Sequence, residues 1–167
     1  MKWGKAFLAG IVGAAIMTIM LSSANAAGFH VLDFSMMWGT LVGLPIGVWA
    51  WLVGFAIHLA VGGIFALIYA LLFNAFSGAG ALRGGGIGIV HGGITGIFLP
   101  LLPLVHPLMN NGRMPSPRPY FAGHGMPGIL FYFGIHIVYG ITVGWLYARI
   151  VPEAREIPES DDLRIAA

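Results

Sequence analysis

The sequence predicts an all-α membrane protein: four transmembrane helices arranged as two tandem helical hairpins related by a pseudo-two-fold axis along the membrane normal. Three observations lead there. Charged residues make up only 8% of a chain that is 58% apolar, with a mean hydropathy of +0.88, far below the roughly 25% charge of a soluble domain. The few charges are segregated, leaving four uncharged stretches long enough to cross a bilayer at about 20 residues per crossing. The sequence also aligns with itself at an offset of 78 residues, so that the first pair of stretches matches the second.

The crossings fall at about residues 6–27, 46–73, 84–105 and 127–151. Between the first two, Asp33 is the only charge; Trp38 and the glycines around it suit a turn at headgroup level, so residues 34–43 form a short interfacial or re-entrant piece. The connection over 106–128 holds Pro107, Pro115, Pro117, Pro119 and Pro127, which predicts an irregular, extended loop. The membrane domain therefore occupies residues 1–151, with repeats at about 5–74 and 83–151, followed by a solvated polar tail over 152–167 that carries Glu153, Glu156, Glu159, Asp161 and Asp162.

Net charge is +2 with a pI near 9.2, and no basic stripe exists for a phosphate backbone to follow, so nucleic acid is excluded as a partner. The basic residues report orientation instead. Lys2, Lys5, Arg83, Arg149, Arg155 and Arg164 lie on one side, against Arg113 and Arg118 on the other, which puts both termini in the cytoplasm. Residues 1–27 also have the basic start, apolar centre and Ala24-Asn25-Ala26 of a cleavable signal peptide. The repeat favours a retained helix, because the third crossing is its counterpart.

At the offset of 78, Gly10-Ile11-Val12 falls on Gly88-Ile89-Val90, Lys5 on Arg83, Ile57-His58 on Ile135-His136, Gly62 on Gly140, and Tyr69-Ala70 on Tyr147-Ala148. Matches among Gly, Ile and Ala are cheap here; His and Tyr in common register are not. Ala6, Gly10, Ala14, Thr18 and Ser22 recur every four residues on the first crossing, as do Gly84, Gly88, Gly92 and Gly96 on the third. Such stripes let helix backbones approach closely, which in lipid replaces the missing hydrophobic drive. On the second crossing His58, Gly62, Ala66 and Tyr69 share a helical face, and on the fourth His136, Gly140, Gly144 and Tyr147 do.

The segments Gly10-x-x-Gly13-x-x-x-Met17-Thr18, His58-x-x-x-Gly62 running into Ala66 to Ala70, Arg83-Gly84, and His136-x-x-Tyr139-Gly140-x-x-x-Gly144-x-x-Tyr147 resemble those of small, functionally uncharacterised four-helix proteins of bacteria. The resemblance covers most of the four crossings and implies a bacterial inner-membrane protein. It supplies no catalytic residues, and the Pro-rich loop is not part of its pattern.

Cysteine is absent, which removes disulfides, thiolate metal sites and cysteine nucleophiles. Polar groups in hydrocarbon must be satisfied or used, and the only ionisable residues at mid-crossing are His58, His91 and His136. His58 and His136, at equal depth by the repeat, are candidate axial ligands for haem b; with His91 they are a candidate site for a transition metal. The competing expectation is that each imidazole bonds a backbone carbonyl, Thr95, Tyr139 or another His and glues helices together. A proton relay lacks any carboxylate within the membrane to share the proton.

On the outer side, His30, Met36, His106, Met109 and His124, with Asp33, Met37, Met114 and Met126 nearby, are a candidate Cu(I) site of imidazole and thioether. Gly84-Gly85-Gly86 opens a membrane helix with no preceding strand, which excludes a nucleotide loop. Asp33, Ser35 and Ser116 form no nucleophile turn. The functional expectation is a non-catalytic inner-membrane scaffold or accessory subunit, with lipid and other membrane subunits, or further copies of itself, as partners. The alternatives are a haem- or metal-binding membrane protein and a small oligomeric transporter or channel.

Overall fold

The computed structural model describes residues 2–76 and 78–152; the predicted polar tail, beyond Pro152, lies outside the described residues. The regular structure of the described residues is helical, in the order α1 (Trp3–Ala26), α2 (Phe34–Leu41), α3 (Val48–Ala75), α4 (Ala81–Phe98), a 3-10 turn (Leu99–Leu101), α5 (Leu102–Val105), α6 (Pro107–Asn110), a second 3-10 segment (Pro119–His124) and α7 (Gly125–Ile150). Four segments, Trp3–Ala26, Val48–Ala75, Ala81–Val105 and Pro119–Ile150, are long and apolar enough to cross a membrane. This fits a multi-pass membrane protein.

Small residues decide which helices touch. α1 packs along α3 and α4 along α7, while α1 and α7 meet across the middle and α3 and α4 barely touch. A side chain at Gly10 would strike the Gly62 carbonyl, and one at Gly84 would strike the Gly140 carbonyl, so both hairpins close by backbone contact. Their registers differ by one turn: Gly62 lies between Gly10 and Ala14, whereas Gly140 lies between Gly84 and Gly88 rather than Gly88 and Gly92. The small stripe of α1 also ends sooner than its spacing predicts, since Thr18 is buried but Ser22 is exposed.

At the end where α1 begins and α7 finishes, the Lys5 ammonium donates to the Ile150 carbonyl at 2.7 Å and the Lys2 amide to the Tyr147 hydroxyl at 3.3 Å. Both bonds tie the start of α1 to the end of α7. Ala6, Ala66, Tyr69, Phe73, Tyr139 and Val143 form the core of this half. In the other half, Met17, Leu21, Leu99, Phe121, Tyr132 and Ile135 take over.

The piece expected at 34–43 is α2, eight residues long and lying on α3. Asp33 is its N-cap and accepts from the Met36 amide at 3.0 Å, an interaction that contributes about 1 kcal/mol. Gly39 faces the Ala50 backbone, and Gly54 faces the Ser35 carbonyl.

The third crossing spans Ala81–Val105, close to the expected 84–105; after Phe98 it continues through the 3-10 turn and α5, because Pro100 and Pro103 lack the amide hydrogens an α-helix needs. One expectation is corrected: the loop over 106–128 is irregular but not extended, and it folds back onto the bundle. Tyr120 and Phe121 adopt left-handed backbone angles, with φ of 52° and 58°, at a cost of order 1–3 kcal/mol each. Packing offsets that strain: the Tyr120 hydroxyl donates to the Gly93 carbonyl at 3.2 Å, its ring stacks on Phe133, and Phe121 is buried edge-on against Tyr132.

Candidate functional site

Between α3 and α4, where the two helices leave one another, lies a cavity of about 330 Å³. His58, Gly62 and Phe65 of α3 line one wall and His91, Thr95 and Phe98 of α4 the other. Its back is made by Ala14 and Met17 of α1 and by Tyr132, His136 and Tyr139 of α7. Phe34, Met37 and Trp38 of α2 close it towards the Pro-rich loop, together with Leu99 and Leu102. Val61 on its rim is half-buried and Phe98 is 58% exposed, so the mouth faces sideways, where a membrane protein meets acyl chains.

The structure thus brings His58, His91 and His136 to one cavity, but their hydrogen bonds differ. His136 Nδ1 lies 2.8 Å from the Tyr132 carbonyl, which only accepts, so this nitrogen carries the hydrogen. In a neutral ring Nε2 is then an acceptor, 3.3 Å from the Thr95 hydroxyl, whose single hydrogen also has the His91 carbonyl in reach at 2.9 Å; Thr95 in turn accepts from the Tyr132 hydroxyl at 2.8 Å. When Thr95 donates to His136, the bonds close a ring from Tyr132 to Thr95 to His136 and back to Tyr132. Gly92 makes room for it, since a Cβ there would press on the imidazole.

His58, 7% exposed, places Nδ1 2.9 Å from the Thr18 hydroxyl, which also reaches the Ala14 carbonyl at 3.1 Å. His91 places Nδ1 3.2 Å from the Tyr69 hydroxyl. Among the described residues neither Nε2 has a hydrogen-bond partner. His91 sits in an aromatic box, stacked on Phe65 at 4.3 Å with Tyr69, Tyr139 and His136 edge-on around it. Tyr139, expected as a histidine partner, instead donates to the Gly62 carbonyl and locks α7 to α3.

His58 and His136 are each bonded within their own hairpin, to Thr18 of α1 and Thr95 of α4. The pair therefore does not offer two free nitrogens to one haem iron. Among the described residues, no three His, Asp or Glu side chains come together in a way that could hold a metal ion.

The outer residues divide into two groups. His30, Met36 and His124 line a second cavity of about 520 Å³, together with Asp33, Met114 and Arg118. His106 and Met109 are elsewhere. His106 is fully buried, with Nδ1 accepting from the Met109 amide and Nε2 donating to the Met37 carbonyl at 3.2 Å, beside Thr40. Met109 packs against Met37 and Met114. His106 thus staples α6 to α2, and the five residues do not form one copper site, because burial and backbone bonding use up His106.

Tyr132 and Phe65 shape the site without having been singled out by sequence, because aromatic residues are common in such segments. The sequence marks Thr18 and Tyr69 only as packing positions, and the structure makes them hydrogen-bond partners of His58 and His91. Neither family models, nor curated proteins, nor solved structures provide a match to this chain.

Proposed function

We propose that this chain is a non-catalytic, multi-pass protein of the bacterial inner membrane that holds a small apolar molecule, taken from the bilayer, in the cavity between α3 and α4. The lining carries this reading: six aromatic rings and three histidines around about 330 Å³, within the range of small-molecule sites. An open-mouthed apolar cavity beside two unpartnered imidazole nitrogens is better accounted for by an occupant than by a scaffold alone. Acting as the binding subunit of a larger membrane complex joins this reading to the accessory role expected from sequence.

The placement of six of the eight basic residues supports cytoplasmic termini, and the resemblance to small bacterial membrane proteins supports the compartment. The offset of 78, with Gly62 and Gly140 each at its hairpin's closest approach, supports a pseudo-two-fold relation between hairpins, loosened by the one-turn difference in register.

The test is purification in mild detergent, followed by an absorption spectrum, metal analysis and mass spectrometry of what is released on denaturation. The expected result is an apolar organic molecule that is lost from Val61→Trp, in which the indole fills the mouth. A Soret band stoichiometric with the chain would replace this reading with haem binding. Wild type and Val61→Trp with identical extracts and identical uptake of apolar probes would leave the cavity without a role.

A further inference from the structure

The donors and acceptors around the cavity define what its occupant must carry. Tyr69 is buried, and its hydroxyl has His91 Nδ1 as its hydrogen-bonding neighbour. A buried O–H left without an acceptor is costly, so Tyr69 donates to Nδ1 and the hydrogen of His91 sits on Nε2. His91 therefore offers a donor. Thr18 has a single hydrogen and two acceptors in reach, the Ala14 carbonyl and His58 Nδ1. When Thr18 donates to Ala14, His58 Nδ1–H donates to Thr18, every donor is satisfied, and His58 Nε2 offers a lone pair. When the Thr18 hydroxyl turns to Nδ1, the hydrogen of His58 moves to Nε2, which becomes a donor.

We propose that the occupant is an isoprenoid quinol or quinone of the membrane pool, bound through its oxygens to His58 Nε2 and His91 Nε2. This rests on the cavity being a binding site for an apolar molecule. A quinol has hydroxyls that donate to one imidazole and accept from the other. A quinone has two carbonyls that only accept, and the Thr18 turn gives it two donors. Phe34, Phe65 and Tyr139 give the cavity an aromatic lining against which a flat ring packs. The volume takes one substituted ring, while the isoprenoid tail leaves between α3 and α4 into the acyl chains. A hydrocarbon chain would fill the same space but leave both nitrogens unpartnered, and a sterol brings one hydroxyl to the two of them where a quinol or quinone brings two oxygens. The proposal is one of binding alone and moves no electrons.

The test uses the full chain in mild detergent, with a benzoquinol carrying one prenyl unit, its oxidised form, and a photoreactive alkane of similar volume. Wild type is expected to bind both ring forms, and each should displace the alkane. His58→Leu is expected to weaken the quinol by about three- to tenfold, the equivalent of one lost hydrogen bond, and not to weaken the alkane, for which leucine keeps an apolar wall. Thr18→Val leaves a hydrogen on His58 Nδ1 without an acceptor and so favours the tautomer with hydrogen on Nε2; it is expected to weaken the quinol more than the quinone. Alkane binding that Val61→Trp abolishes, with quinol that neither binds nor displaces it, would overturn this proposal and keep the apolar site. No binding of any probe would overturn both. If His58→Leu does not accumulate, His58→Asn, which is polar but too short to present Nε2, must give the same loss; undiminished quinol affinity in it counts against the proposal.

Discussion

At the scale of single residues, the ring through Tyr132, Thr95 and His136 makes an ordering that size alone would not suggest. His136→Leu removes the imidazole but lets the Thr95 hydroxyl return to the His91 carbonyl, 2.9 Å away, while Tyr132 still donates to Thr95. Thr95→Val is nearly isosteric yet strands both the Tyr132 hydroxyl and His136 Nε2 in an apolar setting, at about 1–3 kcal/mol for each buried group. Thr95→Val is therefore expected to lower stability more than His136→Leu, by about 1 kcal/mol or more, read from unfolding midpoints in detergent. The reverse order would mean that the ring is open. His106 makes a separate prediction. His106→Leu loses the staple from α6 to α2, and in this cysteine-free chain a cysteine at Met114, 9% exposed, should go from slow to fast labelling. Unchanged labelling would show that the methionine cluster holds the loop by itself.

At the scale of helices, the close approaches are where mutation should hurt. A Cβ at Gly140 would overlap the Gly84 carbonyl, whereas one at Gly134, on the same helix, meets nothing within 4 Å. Gly140→Val is expected to destabilise by about 1–3 kcal/mol through forced separation of α4 and α7. Gly134→Val should be close to neutral, and equal midpoints for the two variants would contradict the backbone contact. α1 has a larger stake. It supplies Gly13 against the Tyr139 ring, Thr18 to His58, and Ala14 and Met17 to the cavity. Intact mass of the protein from membranes is expected to include residues 1–27; a chain beginning near Ala27 would remove one wall of the site and the first half of the repeat.

At the scale of the whole molecule, the bundle is asymmetric in a way that bears on function. α1 and α7 fill the centre, α3 and α4 stand outside them, and the space between the outer pair is the cavity. With cytoplasmic termini, single cysteines at residue 78 and at the C-terminus should be shielded from an impermeant reagent in intact cells, and one at Arg113 should react. Labelling at residue 78 without labelling at Arg113 would invert the orientation.

The crossings, their boundaries to within a few residues, the non-spanning piece around Trp38 and the small-residue seams were legible in the amino-acid sequence, because in lipid each is a local property of length, polarity and side-chain size. The three histidines were legible as candidates for the same reason: a polar group among apolar neighbours stands out. What each imidazole does was not. His136 is satisfied by its own ring of bonds while His58 and His91 keep a free nitrogen, and this depends on which hydroxyls lie across the helix interfaces and on a one-turn difference in hairpin register that the repeat does not encode. The fold-back of the 106–128 loop was hidden as well, since its prolines argue for extension locally and only burial of Phe121, Met109 and Met114 against other elements repays the strain. Membrane insertion is decided residue by residue along the chain; the cavity exists only because α1 and α7 meet and hold α3 and α4 apart.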